Sequence, residues 1–195
     1  TNVPLFQDNK TPRLTELQDI VKDVSSGNWV IRTGVSHSAG EGSDIISGSD
    51  GKDIIHGNGG DDQITGGSGN DKLYGDHGND VLSGGLGNDI LLGGLGNDTL
   101  NGGDGMDIAS YLDASSGVTV DLRVASQQNT VGAGFDTLAN MEGLTGSNYV
   151  DHLTGDSKDN ILDGGLGNDI LIGGAGNDII QAGAGSDLIH GGVGN

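Results

Sequence analysis

The sequence predicts an all-β solenoid of short parallel strands, and two features of a nine-residue repeat support that prediction. Two units occur in tandem in residues 84–101, as Gly-Gly-Leu-Gly-Asn-Asp-Ile-Leu-Leu and Gly-Gly-Leu-Gly-Asn-Asp-Thr-Leu-Asn. Glycine at positions 2 and 4 and asparagine at position 5 tolerate a positive φ, so positions 1–6 should form a tight turn. Positions 7–9 leave room for a strand of about three residues, with the position-8 side chain facing inward. Two units then form one flattened coil, and such coils stack.

The repeat forms two arrays. Counting in nines gives eight units in residues 39–110, then five units and a partial sixth in residues 146–195. Position 8 is aliphatic in every complete unit: Ile46, Ile55, Ile64, Leu73, Leu82, Leu91, Leu100, Ala109, Leu153, Leu162, Leu171, Ile180 and Ile189. A disordered Gly/Asn/Asp-rich linker would not keep an aliphatic residue in register with an aspartate over eight units. We therefore expect an ordered fold.

Position 6 is aspartate in twelve of the thirteen complete units, and these aspartates are the candidate metal ligands. Stacked parallel strands lie about 4.8 Å apart, so carboxylates eighteen residues apart should line one edge at roughly that spacing. Calcium–oxygen bonds are about 2.3–2.6 Å long, so one ion fits between adjacent turns, with turn carbonyls completing its coordination. The predicted ligands are Asp44, Asp53, Asp62, Asp71, Asp80, Asp89, Asp98, Asp107, Asp151, Asp169, Asp178 and Asp187, and the exception is Asn160.

The number of calcium ions follows from how these residues divide between the two edges. In the first array, one edge holds Asp44, Asp62, Asp80 and Asp98, and the other holds Asp53, Asp71, Asp89 and Asp107. Each edge has three gaps between stacked turns, which predicts six ions. The second array has two good gaps along Asp151, Asp169 and Asp187, and a poorer one between Asn160 and Asp178. We therefore expect about eight or nine calcium ions.

The repeat resembles the calcium-binding nonapeptide of the RTX (repeats-in-toxin) proteins. That resemblance implies a right-handed parallel β-roll, secretion by a type I system to the extracellular space, and folding triggered by extracellular calcium. The segments 109–111, 117–122 and 141–147 also look like an interruption found in secreted proteins with RTX arrays. We expect this interruption to widen the roll, closing one hydrophobic stack while starting the next.

The composition agrees with a metal-stabilised fold and excludes several classes of partner. Forty glycines, 3% aromatic residues and 32% hydrophobic residues cannot build an ordinary globular core. The net charge of −20 argues against nucleic acid or an anionic membrane surface as a partner. No apolar run reaches the length of a transmembrane segment. There are no cysteines, as suits a chain exported unfolded, and no signal peptide is recognisable. Because the chain starts at Thr1 and stops within a repeat unit, we expect a part of a longer protein.

The chain divides into four segments. Residues 1–38 are expected to form a helix–strand cap or the end of a preceding domain, residues 39–110 the first roll, 111–145 the interruption and 146–195 the second roll. The helix is predicted from Pro12 at its first position and from Leu14, Leu17, Ile20, Val21 and Val24 at helical spacing. Residues 29–33 and 118–122 are expected to be strands, and residues 137–145 return to the repeat phase with Glu142 at position 6.

Position 7 is the least expected part of the repeat, because it should face outward and yet is mostly aliphatic. The residues are Ile45, Ile54, Val81, Ile90, Ile108, Ile161, Ile170, Ile179 and Leu188. Strand propensity explains part of this preference. The remainder suggests a face covered by the N-terminal helix, by the interruption or by a partner.

No catalytic motif is present, so we expect no enzyme in this piece. The chain lacks His-Glu-x-x-His, Gly-x-Ser-x-Gly and Gly-Lys-Ser/Thr, and its Gly-x-Gly-x-x-Gly runs belong to the nonapeptide. The primary hypothesis is a calcium-dependent folding and secretion module attached to another domain of a larger extracellular protein. By resemblance, that parent could be a serralysin-type metalloprotease, a lipase, a polysaccharide epimerase or an adhesin. The alternative is a module that binds a polysaccharide or a cell surface. An ice-binding segment would need an outward Thr/Asn ladder, which positions 7 and 9 lack.

Overall fold

The structure is a computed structural model that describes residues 20–22, 29–31 and 36–194. Within these residues the chain contains only strands and turns, with no helix. The strands before the interruption are β1 (Ile20–Lys22), β2 (Trp29–Ile31), β3 (Ser36–Ser38), β4 (Ile45–Ser47), β5 (Ile54–His56), β6 (Gln63–Ser68), β7 (Lys72–Tyr74), β8 (Val81–Leu86), β9 (Ile90–Leu92), β10 (Thr99–Asp104) and β11 (Ile108–Ser110). The later strands are β12 (Thr119–Asp121), β13 (Gln128–Asn129), β14 (Phe135–Ala139), β15 (Gly143–Thr145), β16 (His152–Thr154), β17 (Ile161–Asp163), β18 (Ile170–Ala175), β19 (Ile179–Gln181) and β20 (Leu188–Val193).

The strands form three sheets that wrap one solenoid, which confirms the predicted all-β parallel roll. The first sheet has the order β1-β2-β4-β6-β8-β10-β14-β13, and the second has the order β19-β17-β15-β11-β9-β7-β5-β3. The third sheet has the order β12-β16-β18-β20. Pairing is parallel except at β1–β2 and β13–β14. Within the arrays, partners are eighteen residues apart, as in Ile64↔Leu82 and Leu73↔Leu91.

The position-8 side chains form the core, as the repeat predicts. Ile55, Leu73 and Leu91 are fully buried, and the same row continues to Ala109, Leu144 and Leu162. Ile180 is only partly buried, and Ile189 in the last described coil is 49% exposed. Ile189 departs from the prediction because an end coil has a neighbour on one side alone.

The interruption changes one face of the solenoid while the other face continues. The first sheet ends at β14, against which β13 pairs antiparallel, and the third sheet begins at β12. The second sheet passes through without a break, because β11 pairs with β15 and β15 pairs with β17. The buried residues on both sides of the interruption belong to one cluster. On one face, a stack of strands thus closes and another begins, as expected, while the core stays continuous through the second sheet. The expected widening of the roll stays a prediction.

The N-terminal helix prediction was wrong where it can be compared with the structure. Ile20–Lys22 is a strand that pairs antiparallel with Trp29–Ile31, and Trp29–Ile31 is the strand that the sequence predicts. Adjacent β-branched residues and a neighbouring strand edge outweigh a helical spacing of few apolar residues. The rest of the predicted helix, residues 12–19 and 23–24, lies outside the described residues. Whether 1–38 acts as a cap stays a prediction.

The position-7 side chains form the outer face of the strands. Ile45, Val81, Ile179 and Leu188 are 46–58% exposed, whereas Ile54, Ile90 and Ile161 are half-buried between neighbouring coils. The described residues thus place these side chains outward, as the sequence predicts. What covers this face stays open.

Candidate metal centre

The turns are tight because their glycines adopt backbone conformations that other residues rarely take. Gly85 at position 2 and Gly87 at position 4 have φ of 112° and 126°, in the left-handed region. A Cβ on Gly87 would overlap the carbonyl oxygen of Gly69 in the preceding coil. The prediction for positions 2 and 4 is therefore confirmed. These close approaches bring the backbones of successive turns together at the edge of the roll.

The asparagine at position 5 has a different role from the one predicted. Among the described residues, the non-glycine residues with positive φ are Asn58, Asp76, Val131 and Asn140, and none of them is a position-5 asparagine. Instead, these side chains form a ladder between coils. The Asn88 N–H donates to Asn70 Oδ1 and the Asn97 N–H donates to Asn79 Oδ1, each at 3.0 Å. Position 5 therefore ties the exposed rim of one turn to the next.

The position-6 aspartates stack in rows at the two edges, and each carboxylate contacts the preceding coil. Asp80 Oδ1 accepts a hydrogen bond from the Asp62 N–H at 2.8 Å, and Asp98 Oδ1 accepts one from the Asp80 N–H at 2.9 Å. On the other edge, Asp89 Oδ1 accepts a hydrogen bond from the Asp71 N–H at 2.8 Å. A third row runs along Asp151, Asp169 and Asp187 by the same contact. The eighteen-residue edge pairing drawn from the sequence is thus present in these hydrogen bonds.

The second carboxylate oxygen of most of these aspartates has no partner. Eight Oδ2 atoms are buried without a hydrogen bond, those of Asp62, Asp71, Asp80, Asp89, Asp98, Asp107, Asp169 and Asp178. The position-1 glycine of the same turn makes room for this oxygen. A Cβ on Gly75, for example, would overlap Asp80 Oδ2. A buried carboxylate oxygen without a partner is strongly unfavourable, so these turns have the form expected of a cation site.

Burial raises the pKa of these carboxyl groups. The pKa of Asp62 and of Asp98 rises to about 7, and that of Asp89 rises to about 6, chiefly because burial removes water from the charged form. Neighbouring aspartates in the row raise these pKa values further, while the hydrogen bond from the preceding coil lowers them. A bound cation would favour the ionised form. Protons and cations should therefore compete for the same oxygens.

The donor set suits a hard cation. The rows supply carboxylate oxygens and the turns supply backbone carbonyl oxygens, which are the ligands that calcium prefers. In residues 36–194, no three His, Cys, Asp or Glu side chains converge on a single point, so carbonyl oxygens must complete any site. Calcium, with its flexible coordination by six to eight oxygens, fits this arrangement better than zinc does.

The remaining predicted ligands lie at the ends of the rows. Asp44, Asp53 and Asp151 lead their rows, and the Oδ2 of each accepts a hydrogen bond from the position-2 N–H of its own turn. Asp187 ends the third row in the last described coil and is half-buried. The structure thus places all twelve predicted aspartates in the rows. Their coordination of calcium stays a prediction.

Comparison with known sequence families agrees with this geometry. A family profile describing four copies of the RTX calcium-binding nonapeptide repeat matches residues 38–73, 57–91, 74–109, 145–180 and 163–195. The chain belongs to the RTX repeat family. No individual characterised protein matches it significantly, so the likeness is to the repeat rather than to one relative. The RTX roll is a structural calcium-binding module, and calcium is the cation for which its turns are built.

Two acidic residues extend the RTX rows through the segment that the family profile does not match. Asp136 Oδ1 accepts a hydrogen bond from the Asp98 N–H at 3.0 Å, and Glu142 Oε2 accepts one from the Asp107 N–H at 3.2 Å. The return to phase at Glu142 is therefore confirmed. Residues 132–138 are repeat-like but out of phase in the sequence, and Asp136 was not predicted to join a row. Its signal is Gly134, Asp136 and Leu138, which have the spacing of positions 4, 6 and 8.

Proposed function

We propose that this chain is the calcium-dependent folding module of a larger extracellular protein. The observation that carries the proposal is the set of eight buried carboxylate oxygens without a hydrogen-bond partner. In the absence of a cation, these rows bring like charges together in a chain of net charge −20. Bound calcium would neutralise them and link successive turns, so that its binding free energy becomes folding free energy. About eight or nine ions would nearly cancel the net charge.

Folding that depends on calcium also suits secretion of the chain. RTX proteins are typically exported by type I systems as unfolded chains, and this chain carries no cysteine that would need oxidation afterwards. Low cytosolic calcium would leave the rows repulsive and the chain unfolded before export. Extracellular calcium would then fold the roll, which would in turn help an attached domain to fold. No helix in the described residues is long and apolar enough to span a membrane.

The test is a calcium titration followed by far-ultraviolet circular dichroism. In EDTA, the chain should be largely disordered, and millimolar calcium should produce a β-rich spectrum. Magnesium should substitute poorly because it gives up its water ligands reluctantly. Asp61→Asn, which removes a carboxylate beside the row but not from it, should give the same calcium titration as the wild type. A spectrum that chelation leaves unchanged would refute the proposal.

A groove on the outer surface favours a second candidate function, the binding of a polysaccharide. The groove has a volume of about 510 Å³ and is lined by Glu41, His56, Asn58, Gly59, Asp76 and His77. At its wall, the His56 and Tyr74 rings stack with centroids 4.0 Å apart and planes inclined by 8°. The hydrogen bond to His56 holds the pKa of Asp76 below its usual value, so the groove keeps a carboxylate.

The chemistry of this groove suits a neutral or amino-sugar polymer. Flat rings pack against sugar rings, and fixed carboxylates hydrogen-bond to sugar hydroxyl or ammonium groups. The Glu41 and Asp76 carboxylates that line the groove would repel an acidic polysaccharide. Calorimetric titration of the calcium-loaded protein with dextran and chitosan oligosaccharides tests the idea, with Tyr149→Ala as a surface control. Binding that His56→Ala and Tyr74→Ala leave intact would remove this candidate.

A further inference from the structure

The buried carboxylate oxygens without a partner are absent from the middle of the solenoid. In residues 36–194, they lie in turns ending between Asp62 and Asp107 and in turns ending at Asp169 and Asp178. Three of the four position-6 residues between these groups, Asp136, Glu142 and Asn160, have their side-chain oxygens occupied. The fourth, Asp151, leads the third row and is hydrogen-bonded within its own turn. Glu142 and Asn160 follow Asp107 along one edge, and Asp136 follows Asp98 as the last residue of its row. Each of these three is held by a donor from the chain.

The Asp136 carboxylate is held by a threonine. Its Oδ1 accepts from the Asp98 N–H, as in other turns, but its Oδ2 accepts from the Thr130 hydroxyl at 3.0 Å, a donor shared with the Gly134 carbonyl oxygen at 2.9 Å. Thr130 is fully buried, and Asp136 is 1% exposed. The Tyr111 hydroxyl is also buried here, and burial followed by the Asp136 charge raises the pKa of Tyr111 well above its usual value. At position 1 of this turn, Val131 replaces the glycine that elsewhere makes room beside Oδ2.

The Glu142 turn is held by a lysine. Glu142 Oε2 accepts from the Asp107 N–H at 3.2 Å, and Glu142 Oε1 contacts the Lys158 ammonium group at 3.3 Å. Lys158 belongs to the next coil along this edge, where the repeat has glycine at position 4. A cation attached to the chain therefore lies against this carboxylate.

The Asn160 turn replaces a charged oxygen with an amide. Asn160 Oδ1 accepts from the Asp156 N–H at 2.8 Å, and Asn160 Nδ2 donates to the Glu142 carbonyl oxygen at 3.3 Å. An aspartate here would set its second oxygen against that carbonyl oxygen unless a cation lay between them. Lys158 also lacks the positive φ that glycine adopts at position 4. The side chain of this turn therefore lacks the second carboxylate oxygen that the calcium turns offer.

We infer that these three turns form a metal-free seam, in which Thr130, Lys158 and the Asn160 amide take the place of calcium. The inference rests on the proposed function for the flanking turns. It divides the calcium-binding rows into an N-terminal block, with turns ending from Asp44 to Asp107, and a C-terminal block, with turns ending at Asp151, Asp169, Asp178 and Asp187. Calcium bound in one block has no row of ions through which to act on the other.

The test restores the repeat sequence at the seam and counts ions. Lys158→Gly/Asn160→Asp returns glycine to position 4 and aspartate to position 6, so the double variant should bind one more calcium ion than the wild type. Asn160→Asp alone should bind no more, because the Lys158 ammonium group still occupies Glu142. Arg123→Gln/Asn101→Asp makes the same change in net charge outside the turns of the repeat and should leave the count unchanged. Each protein is equilibrated with saturating calcium and analysed by elemental mass spectrometry, with circular dichroism to verify folding.

Thr130→Val/Val131→Gly is the independent variant, because it removes the donor from Asp136 Oδ2 and restores glycine at position 1 without touching Lys158. It should also gain one ion if it folds at saturating calcium. If the folded variants bind no more calcium ions than the wild type, the metal-free seam is overturned. If Asn160→Asp alone binds an additional calcium ion, the part assigned to Lys158 is overturned. A wild type that binds no calcium would instead overturn the proposed function, so the two failures are distinguishable.

Discussion

Replacing Asp80 by alanine tests whether the rows carry the stability of the roll. Asp80 is 1% exposed, its Oδ1 accepts from the Asp62 N–H at 2.8 Å, and its own N–H donates to Asp98 Oδ1 at 2.9 Å. The substitution leaves the Asp62 N–H buried without an acceptor, which costs about 1–3 kcal/mol. It also removes a carboxylate that lies between two neighbouring turns, so ions on both sides of it should be affected.

The expected shift in the calcium midpoint follows from linkage. If the first array takes up about six ions on folding, a tenfold change in free calcium changes the folding free energy by roughly 8 kcal/mol. A loss of about 3 kcal/mol then raises the midpoint about twofold, and weaker ion binding raises it to about fourfold. The control is Asp61→Ala. Asp61 Oδ1 accepts a hydrogen bond from the Asn79 N–H at 2.8 Å. This bond lies on the exposed rim of the turn, where water can replace the carboxylate as the acceptor.

The assay is a calcium titration of both variants and the wild type by circular dichroism. Asp61→Ala should move the calcium midpoint by less than about 1.3-fold, because a solvent-exposed N–H that loses its acceptor costs little free energy when water takes its place. Equal shifts for the two variants would show that the row position has no special energetic role. A midpoint unchanged by Asp80→Ala would refute the argument from the buried oxygens.

Three further predictions concern the ions, the protons and the glycines. Anomalous scattering at long wavelength should find about eight or nine calcium ions, and fewer than six would contradict the edge pairing. In EDTA, acidification from about pH 8 to pH 5 should restore β structure. Burial raises the folded-state pKa of Asp62 and Asp98 to about 7, so the fold is stabilised by their protonation below that pH and destabilised by their ionisation above it. A circular dichroism signal that does not change with pH would contradict this. Gly87→Ala should lower the thermal midpoint strongly, because its Cβ meets the Gly69 carbonyl, whereas Gly191→Ala, which meets nothing within 4 Å, should not.

The repeat made the core and the rows predictable because every coil reproduces the same environment. An aliphatic side chain at position 8 can only be buried when coils stack, and Leu73, Leu82 and Leu91 are accordingly fully buried. The same period sets Asp62, Asp80 and Asp98 above one another. In a solenoid, the position of a residue in the repeat determines its environment, so the structure of one unit predicts that of its neighbours.

Prediction failed where the period changes or where a side chain has two possible uses. Asp98 and its row neighbour Asp136 are 38 residues apart rather than eighteen, so counting in nines could not join them. Asparagine tolerates positive φ, but it also carries an amide oxygen that can serve the next coil, and that second use prevails at Asn70 and Asn79. The strand at Ile20–Lys22 depends on a partner strand that local spacing does not reveal.

The interruption separates the ions but not the core, and this difference has a mechanical consequence. The second sheet passes from Ile108–Ser110 through Gly143–Thr145 to Ile161–Asp163, and Ala109, Leu144 and Leu162 are fully buried along it. Apolar stacking between these coils needs no metal. The two calcium blocks therefore share a continuous hydrophobic row while their carboxylate rows are separated. Folding of one block should still offer the other an ordered edge on which to stack, even when no ion links them.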